Sequence, residues 1–222
     1  SEAVLLRRQK ELWVVCVDIW ASTTGVSVYE EWNLIHSAII PIWWENVTSD
    51  VALWLRVSID LAEKLKVEFG SVIFCKEEWI KDEEIDLSKL SKIETWTISK
   101  KYLSEIIRAR YTEILYFVND ELKRVGKNLM LPEWAVITWG WAKMKWLLDL
   151  SREVLKLPSS VWIPEDSDYI AGTSVADPTF ASVIGTVLLA QKYWVSKSSL
   201  KLSFSPGSFV KSIKNLFSKM VP

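Results

Sequence analysis

Residues 12–19, LWVVCVDI, are apolar without a break until Asp18. Such a run is what a buried strand requires. The stretch VSVYEEWNLIHSAIIPI (26–42) holds two further strands, joined by a short connection at Glu31, Trp32 and Asn33. From Thr48 the period changes. Val51, Leu55, Ile59, Ala62 and Leu65/Lys66 recur at helical spacing until Gly70. That predicts one helix of about five turns, with Thr48, Ser49 and Asp50 as N-cap groups. Residues 71–98 are mixed and acidic and read as short surface strands and turns. A long helix is predicted from Ser99 to about Val125, stopping near Gly126. LPEWAVIT (131–138) reads as a strand, WGW (139–141) as a turn, and AKMKWLLDLSREVL (142–155) as a helix. SSVWIP is a short strand, and DPTFASVIGTVLLAQKY (177–193) a helix with Asp177 at its N-cap. Strands alternating with helices indicate an α/β fold.

The end of the chain differs in character. VSKSSLKLSFSPG (195–207) is a Ser/Lys-rich linker. Beyond it, Phe209, Val210, Ile213, Leu216, Phe217 and Met220 share one helical face, while Lys211, Lys214 and Lys219 lie off it. No Asp or Glu follows Asp177, so the last 31 residues carry +6 within a chain of net charge −1. A short basic amphipathic helix behind a linker suits an anionic membrane interface. The alternative is a helix docked on its own domain. No apolar run is long enough to span a bilayer, and the near-neutral chain carries no nucleic-acid signature. Cys16 and Cys75 lie among apolar neighbours, with no metal spacing, and read as buried structural thiols. His36, the only histidine, falls in a strand pattern and reads as a packing or surface residue. The opening SEAVLLRRQKEL reads as the interior of a longer chain.

Two stretches carry candidate chemistry. Asp18-Ile-Trp-Ala-Ser-Thr-Thr-Gly25 joins a buried strand to the next through a hydroxyl-rich turn. Backbone N–H groups and hydroxyls there can bind phosphate, and Asp18 can hold Mg²⁺ through water. An ordinary hairpin turn is the plain alternative. AVITWGWAKMKWLLDL (135–150) is a strand, a turn and a helix that could take a ribose or α-phosphate. Glu63 and Lys66 share a helix face at i, i+3, either as a nucleotide contact or as a solvated ion pair.

With glycine read for tryptophan, these motifs resemble the FtsA family of bacterial cell-division proteins, in its C-terminal half. That family belongs to the actin-like ATPase superfamily. CVDIWASTTGVSVYEEWN resembles the superfamily's second phosphate loop, PIWWENVTSDVALWL its Gly-Gly turn and following helix, and AVITWGWAKMKWLLDL its adenosine loop. IIRARYTEILYFVNDELKR resembles the long helix of the outer subdomain, and the basic tail resembles the family's membrane-targeting helix.

The resemblance implies an α/β, actin-like (ribonuclease H-like) second lobe. Its mixed five-stranded sheet is flanked by helices, with a smaller α+β outer subdomain and a C-terminal amphipathic helix. Core segments would be 1–70 and 131–194, the outer subdomain 71–130, the linker 195–207 and the helix 208–222. ATP and Mg²⁺ are the implied cofactors. Asp18 would serve Mg²⁺, and Trp20, Ala21, Ser22, Thr23, Thr24 and Trp44 would line the phosphates. Glu63 and Lys66 would hold ribose or base, and Trp139, Gly140 and Trp141 would wall the adenosine. Arg110 and Glu113 would contact FtsZ, the tubulin-like filament protein. The implied role is a peripheral adaptor at the cytoplasmic face of the inner membrane, at the division site, tethering FtsZ and polymerising with itself. The first phosphate loop would precede residue 1, so this chain by itself is not expected to be a competent ATPase. A pilus-assembly relative, or an actin-fold sugar kinase or exopolyphosphatase, are the rival readings; the tail argues against them.

The chain has fourteen Trp and only seven Gly, where ordinary proteins contain about 7% glycine. Every tryptophan stands where the resemblance expects glycine: 13, 20, 32, 43, 44, 54, 79, 96, 134, 139, 141, 146, 162 and 194. A gene using UGA for glycine, read with a code in which UGA means tryptophan, produces this pattern; deliberate engineering is the alternative. Sequencing the gene decides: UGA is expected at these fourteen codons, and UGG would overturn the recoding.

Overall fold

The computed structural model describes residues 5, 7–20, 23–42, 44–72, 82–126, 135–138, 144–162, 182–187 and 189–190. The chain divides into two units, 1–186 and 187–222. The first contains all the elements below. The expected linker at 195–207 and helix at 208–222 lie outside the described residues, as do the turn at 139–141 and Cys75. None of the described helices is long and apolar enough to cross a membrane.

A short helix α1 (Arg7–Glu11) leads into β1 (Val14–Ile19), followed by β2 (Thr24–Glu30) and β3 (Asn33–Ile40). Two helices, α2 (Trp44–Leu55) and α3 (Ile59–Phe69), come next. Strands β4 (Glu84–Asp86) and β5 (Thr97–Ser99) form a small separate ribbon. The long α4 (Lys100–Arg124), β6 (Ala135–Thr138), α5 (Leu147–Leu155) and β7 (Ser159–Val161) complete the series. The main sheet has the order β3-β2-β1-β6-β7. Its β1–β2 and β2–β3 pairs are antiparallel, and β1–β6 and β6–β7 parallel. The expected mixed five-stranded sheet is therefore present.

Position in the sheet follows composition. The unbroken apolar β1 is central and covered on both faces. Val15, Val17 and Ile19 face a large cluster that includes Val51, Leu65, Leu103, Ile107 and Leu115 from the helices. Val14 and Cys16 face a second cluster with Leu5, Tyr29 and Val136. Burial pushes the Cys16 thiol up to about 11, so it is an inert packing group. The mixed β3 is an edge strand and mostly exposed. His36 on β3 meets Glu121 of α4 at 2.9 Å. Ile85 and Leu87, Ile98 of β5 and Leu103 of α4 lie in the same large cluster as the sheet.

The single helix expected over 48–70 is two. Arg56 adopts a left-handed φ of 56°, and the Val57 N–H bonds the Ala52 carbonyl at 3.1 Å. That is the Schellman closure of a helix. Ser58 then starts α3, its N–H donating to Glu94 Oε1. Apolar spacing runs unbroken across this corner, with no Gly or Pro to mark it. Ile59, placed by spacing on the buried face, is 56% exposed. Thr48, Ser49 and Asp50 lie inside α2 rather than at an N-cap. The helix expected from residue 142 begins at Leu147. By contrast, α4 appears where expected. Ser99 accepts from the Tyr102 N–H at its start, and Gly126 follows its end at φ 69°.

Interhelix charges are paired. Arg110 on α4 grips Asp50 on α2 with two hydrogen bonds, Nε to Oδ2 at 2.6 Å and Nη2 to Oδ1 at 2.9 Å. Its Nη1 reaches Glu113. This bidentate pair raises the Arg110 pKa, chiefly through Asp50, and ties α4 to α2.

The described tryptophans are not fully buried, and Trp13 and Trp162 pack against the core from its margin. Among the described side chains, the buried hydrophobic core contains no tryptophan. Trp13 precedes β1, Trp20 follows it, Trp44 begins α2, Trp96 precedes β5 and Trp162 follows β7. Trp32 turns the β2–β3 hairpin at φ 71° beside Glu31 at 46°, and Trp146 precedes α5 at 67°. Two successive positive φ values are the geometry of a type I′ turn, which favours Asn and Gly. Left-handed backbone costs an L-residue about 1–2 kcal/mol, and glycine avoids that cost.

Three outcomes are expected in urea denaturation. W32G and W146G should each raise stability by about 1 kcal/mol; unchanged midpoints would mean that these backbones carry no strain. R110A should lower stability by about 2 kcal/mol. R110K should recover only part of it, because an ammonium cannot reproduce the two-pronged grip.

Candidate functional site

The strand order places a crevice at one point. From β1 the chain turns out to β2 and β3 on one side, then crosses to β6 and β7 on the other. In open α/β sheets, ligands lie outside the carboxyl ends of strands where the order reverses in this way. Here that point is the C-terminal end of β1 and β6.

Asp18 and Thr138 are register partners on these two parallel strands, so their side chains leave the same face. Asp18 Oδ1 is buried without a hydrogen-bond partner, and so is Thr138 Oγ1. Buried polar atoms are nearly always satisfied, so two unsatisfied ones on register-paired residues mark a candidate place for a ligand. Burial raises the Asp18 pKa, while hydrogen bonds from the Trp20 and Ser182 side chains pull it back. Gly25 is the cross-strand partner of Asp18 on β2 and adds no side chain over the carboxylate. The turn beyond β1 is closed by the Trp20 N–H donating to the Thr23 carbonyl at 2.8 Å.

The expected site residues are distributed unequally around this point. Asp18 stands at its centre. Trp20 and Thr23 flank it in the turn, both half-buried, while Ala21 and Ser22 lie outside the described residues. Thr24 begins β2, and its hydroxyl donates to the Ile42 carbonyl at 2.8 Å, so that oxygen serves the fold. Trp44 supplies the first residue of α2. Trp139, Gly140 and Trp141 follow β6 directly and lie outside the described residues.

Glu63 and Lys66 do form a pair on α3, but not a solvated one. The Thr48 hydroxyl of α2 donates to Glu63 Oε2 at 2.7 Å. The Lys66 ammonium donates to both Thr48 and Glu63. The Lys66 side chain is fully buried, whereas Glu63 is 44% exposed. Burial lowers the Lys66 pKa to about 8 against the opposing pull of Glu63. Of the two, Glu63 is the one able to meet a ligand from outside; Lys66 orients it. On α4, Tyr111 is buried with its hydroxyl unpartnered.

Arg110 and Glu113 sit one turn apart on α4 as expected, with Arg110 engaged by Asp50. Two residues at the β1–β6 crevice were not singled out by sequence pattern, Thr138 and Ser182. Thr138 ends an apolar strand much as Asp18 does, which is a usable signal. Ser182 is far away in the chain, and only folding brings it to Asp18.

Comparison with known proteins places this architecture. A family model described as Cell division protein FtsA matches residues 15–185. Cell division protein FtsA of Pseudomonas aeruginosa is 28% identical over 203 residues, covering 91% of this chain and 47% of that protein. The FtsA of Bacillus subtilis is 30% identical over 190 residues, covering 86% and 41%. The chain spans about half the length of these curated relatives. Among solved structures, MreB5 of Spiroplasma citri bound to AMPPNP matches with a TM-score of 0.64 at 13% identity, over 86% of this chain and 56% of that one. At that identity the likeness speaks for the fold, which is the actin-like α/β lobe expected from the motifs. With the family model matched across most of its length, from β1 to the segment that meets Asp18, this chain belongs to the FtsA family of cell-division proteins.

Proposed function

We propose that this chain is the second lobe of an ATP-binding, membrane-anchored adaptor of the division ring. The observation that carries the nucleotide reading is the pair of buried, unpartnered oxygens, Asp18 Oδ1 and Thr138 Oγ1, at the strand-order reversal. The donors are hard oxygens, the chemistry that suits Mg²⁺ and its waters. Asp18 would hold a hydrated Mg²⁺, whose charge would neutralise phosphate oxygens. Position 20, Ala21, Ser22 and Thr23 would offer N–H groups and hydroxyls to phosphate, with Thr24 supporting the turn through Ile42. Glu63, steadied by Lys66 and Thr48, would take a ribose hydroxyl, and residues 139–141 would wall the adenosine. MreB5, a neighbour in fold, was crystallised with AMPPNP, which supports this placement.

The remaining assignments extend the reading outward. The basic face and apolar face at 208–222 would anchor the protein to anionic lipid behind the 195–207 linker. Residues 71–130 would form the outer subdomain. Contact with FtsZ on α4 would rest on Glu113 more than on Arg110, whose guanidinium is committed to Asp50. Filament formation with copies of itself would follow the actin-like pattern.

Two measurements test these points. Nuclear magnetic resonance titration with Mg-ATP should show binding by the chain carrying glycine at 20, 139 and 141, and weaker or no binding by the chain as written. D18N in the glycine form should lose the Mg²⁺-dependent part; equal binding by D18N would overturn the nucleotide site. Co-sedimentation with anionic vesicles should retain the full chain and lose the chain ending at residue 207. Equal recovery of both would overturn the membrane anchor.

A further inference from the structure

Asp18 is held by a residue 164 positions later in the chain. Ser182 opens the described helical stretch 182–187, and its hydroxyl donates to Asp18 Oδ2 at 3.2 Å. The Ser182 carbonyl in turn accepts from the Thr186 hydroxyl at 2.8 Å. The two carboxylate oxygens therefore differ. Oδ2 has a donor from the protein, while Oδ1 is buried and has none. An aspartate carboxylate turns easily about its last torsion, which is broad and roughly two-fold. A hydrogen bond on one oxygen removes that freedom and aims the other.

The register of β1 and β6 supplies the direction. Asp18 pairs with Thr138, whose hydroxyl is the neighbouring buried oxygen without a partner. The Trp20 side chain also bonds the Asp18 carboxylate; with glycine at 20, Ser182 is left to hold Oδ2, and Oδ1 and Thr138 Oγ1 remain without partners. We propose that Ser182 is a positioning residue: its hydroxyl orients the Asp18 carboxylate so that Oδ1 faces a hydrated divalent cation carried by a nucleoside triphosphate. Through this bond the segment from Ser182 to Thr186 is coupled to occupancy of the crevice. The inference rests on the nucleotide reading above and adds a residue that sequence pattern did not supply.

The test uses the full chain with glycine at 20, 139 and 141, titrated with Mg-ATP and, separately, with ATP in the presence of a chelator. S182A should weaken Mg-ATP binding about tenfold, the scale seen for groups that orient metal ligands, and leave metal-free ATP binding unchanged. S182T keeps a hydroxyl and should restore Mg-ATP affinity. Amide exchange across 182–187 should slow on adding Mg-ATP in the parent chain but not in S182A. If S182A binds Mg-ATP like the parent while D18N does not, the role of Ser182 falls and the nucleotide site stands. If S182A weakens ATP binding equally with and without Mg²⁺, Ser182 serves only the fold and the proposal is wrong. Mg-ATP binding by D18N equal to that of the parent, or no binding by the parent, overturns the nucleotide site and this inference together.

Discussion

The parallel pairing of β1 with β6 is the constraint on which the rest depends. A strand covered on both faces must satisfy every backbone group within the sheet, and β1 does so against β2 on one side and β6 on the other. That pairing delivers Asp18 and Thr138 side by side at the edge of the core. The same burial that stabilises Val15, Val17 and Ile19 removes water from the Asp18 carboxyl and raises its pKa. A charge in that position needs donors or a cation. The protein provides Ser182 and Trp20 for part of the requirement and leaves Oδ1 open.

The helical layer solves a related problem with paired charges. Arg110 and Asp50 join α4 to α2, Glu63 and Lys66 with Thr48 join α3 to α2, and Glu94 receives the N–H that opens α3. Each pair spans two elements, so each specifies how helices meet as well as adding stability. Lys66 shows the cost of such an arrangement. Its ammonium is fully buried, and desolvation brings its pKa down to about 8 even with Glu63 beside it. Removing one member would strand its partner, which is far more damaging than never having had the pair.

The tryptophans run against both patterns. An indole normally contributes large buried area, yet among the described residues this core is built from Val, Ile, Leu and Ala side chains with Cys16, Tyr29, Tyr111 and Met144. The described tryptophans gather at the ends of elements, where chains turn, and two adopt left-handed backbone. Those are the duties of glycine. At position 20 the proposed nucleotide reading asks the backbone to approach phosphate closely, and a large ring there would stand in the way. Arg56 and Lys156 also adopt left-handed φ, so the chain does tolerate such strain where local closure demands it.

By itself the sequence determined the α/β class, the buried central strand, the long α4 with its Ser99 cap and Gly126 stop, and Asp18 as candidate chemistry at a strand end. These are local matters: side-chain period, capping groups and an unbroken apolar run are written in neighbouring residues. The break between α2 and α3 was not legible, because apolar spacing continues across Arg56 and no residue type marks the turn. The burial of Lys66, the engagement of Arg110 by Asp50 and the bond from Ser182 to Asp18 were decided only by tertiary structure. Each joins residues 18, 60 and 164 positions apart respectively, and no local pattern records which distant partner will neutralise a desolvated charge. Packing brings those groups together, and the low dielectric of the interior makes their pairing matter.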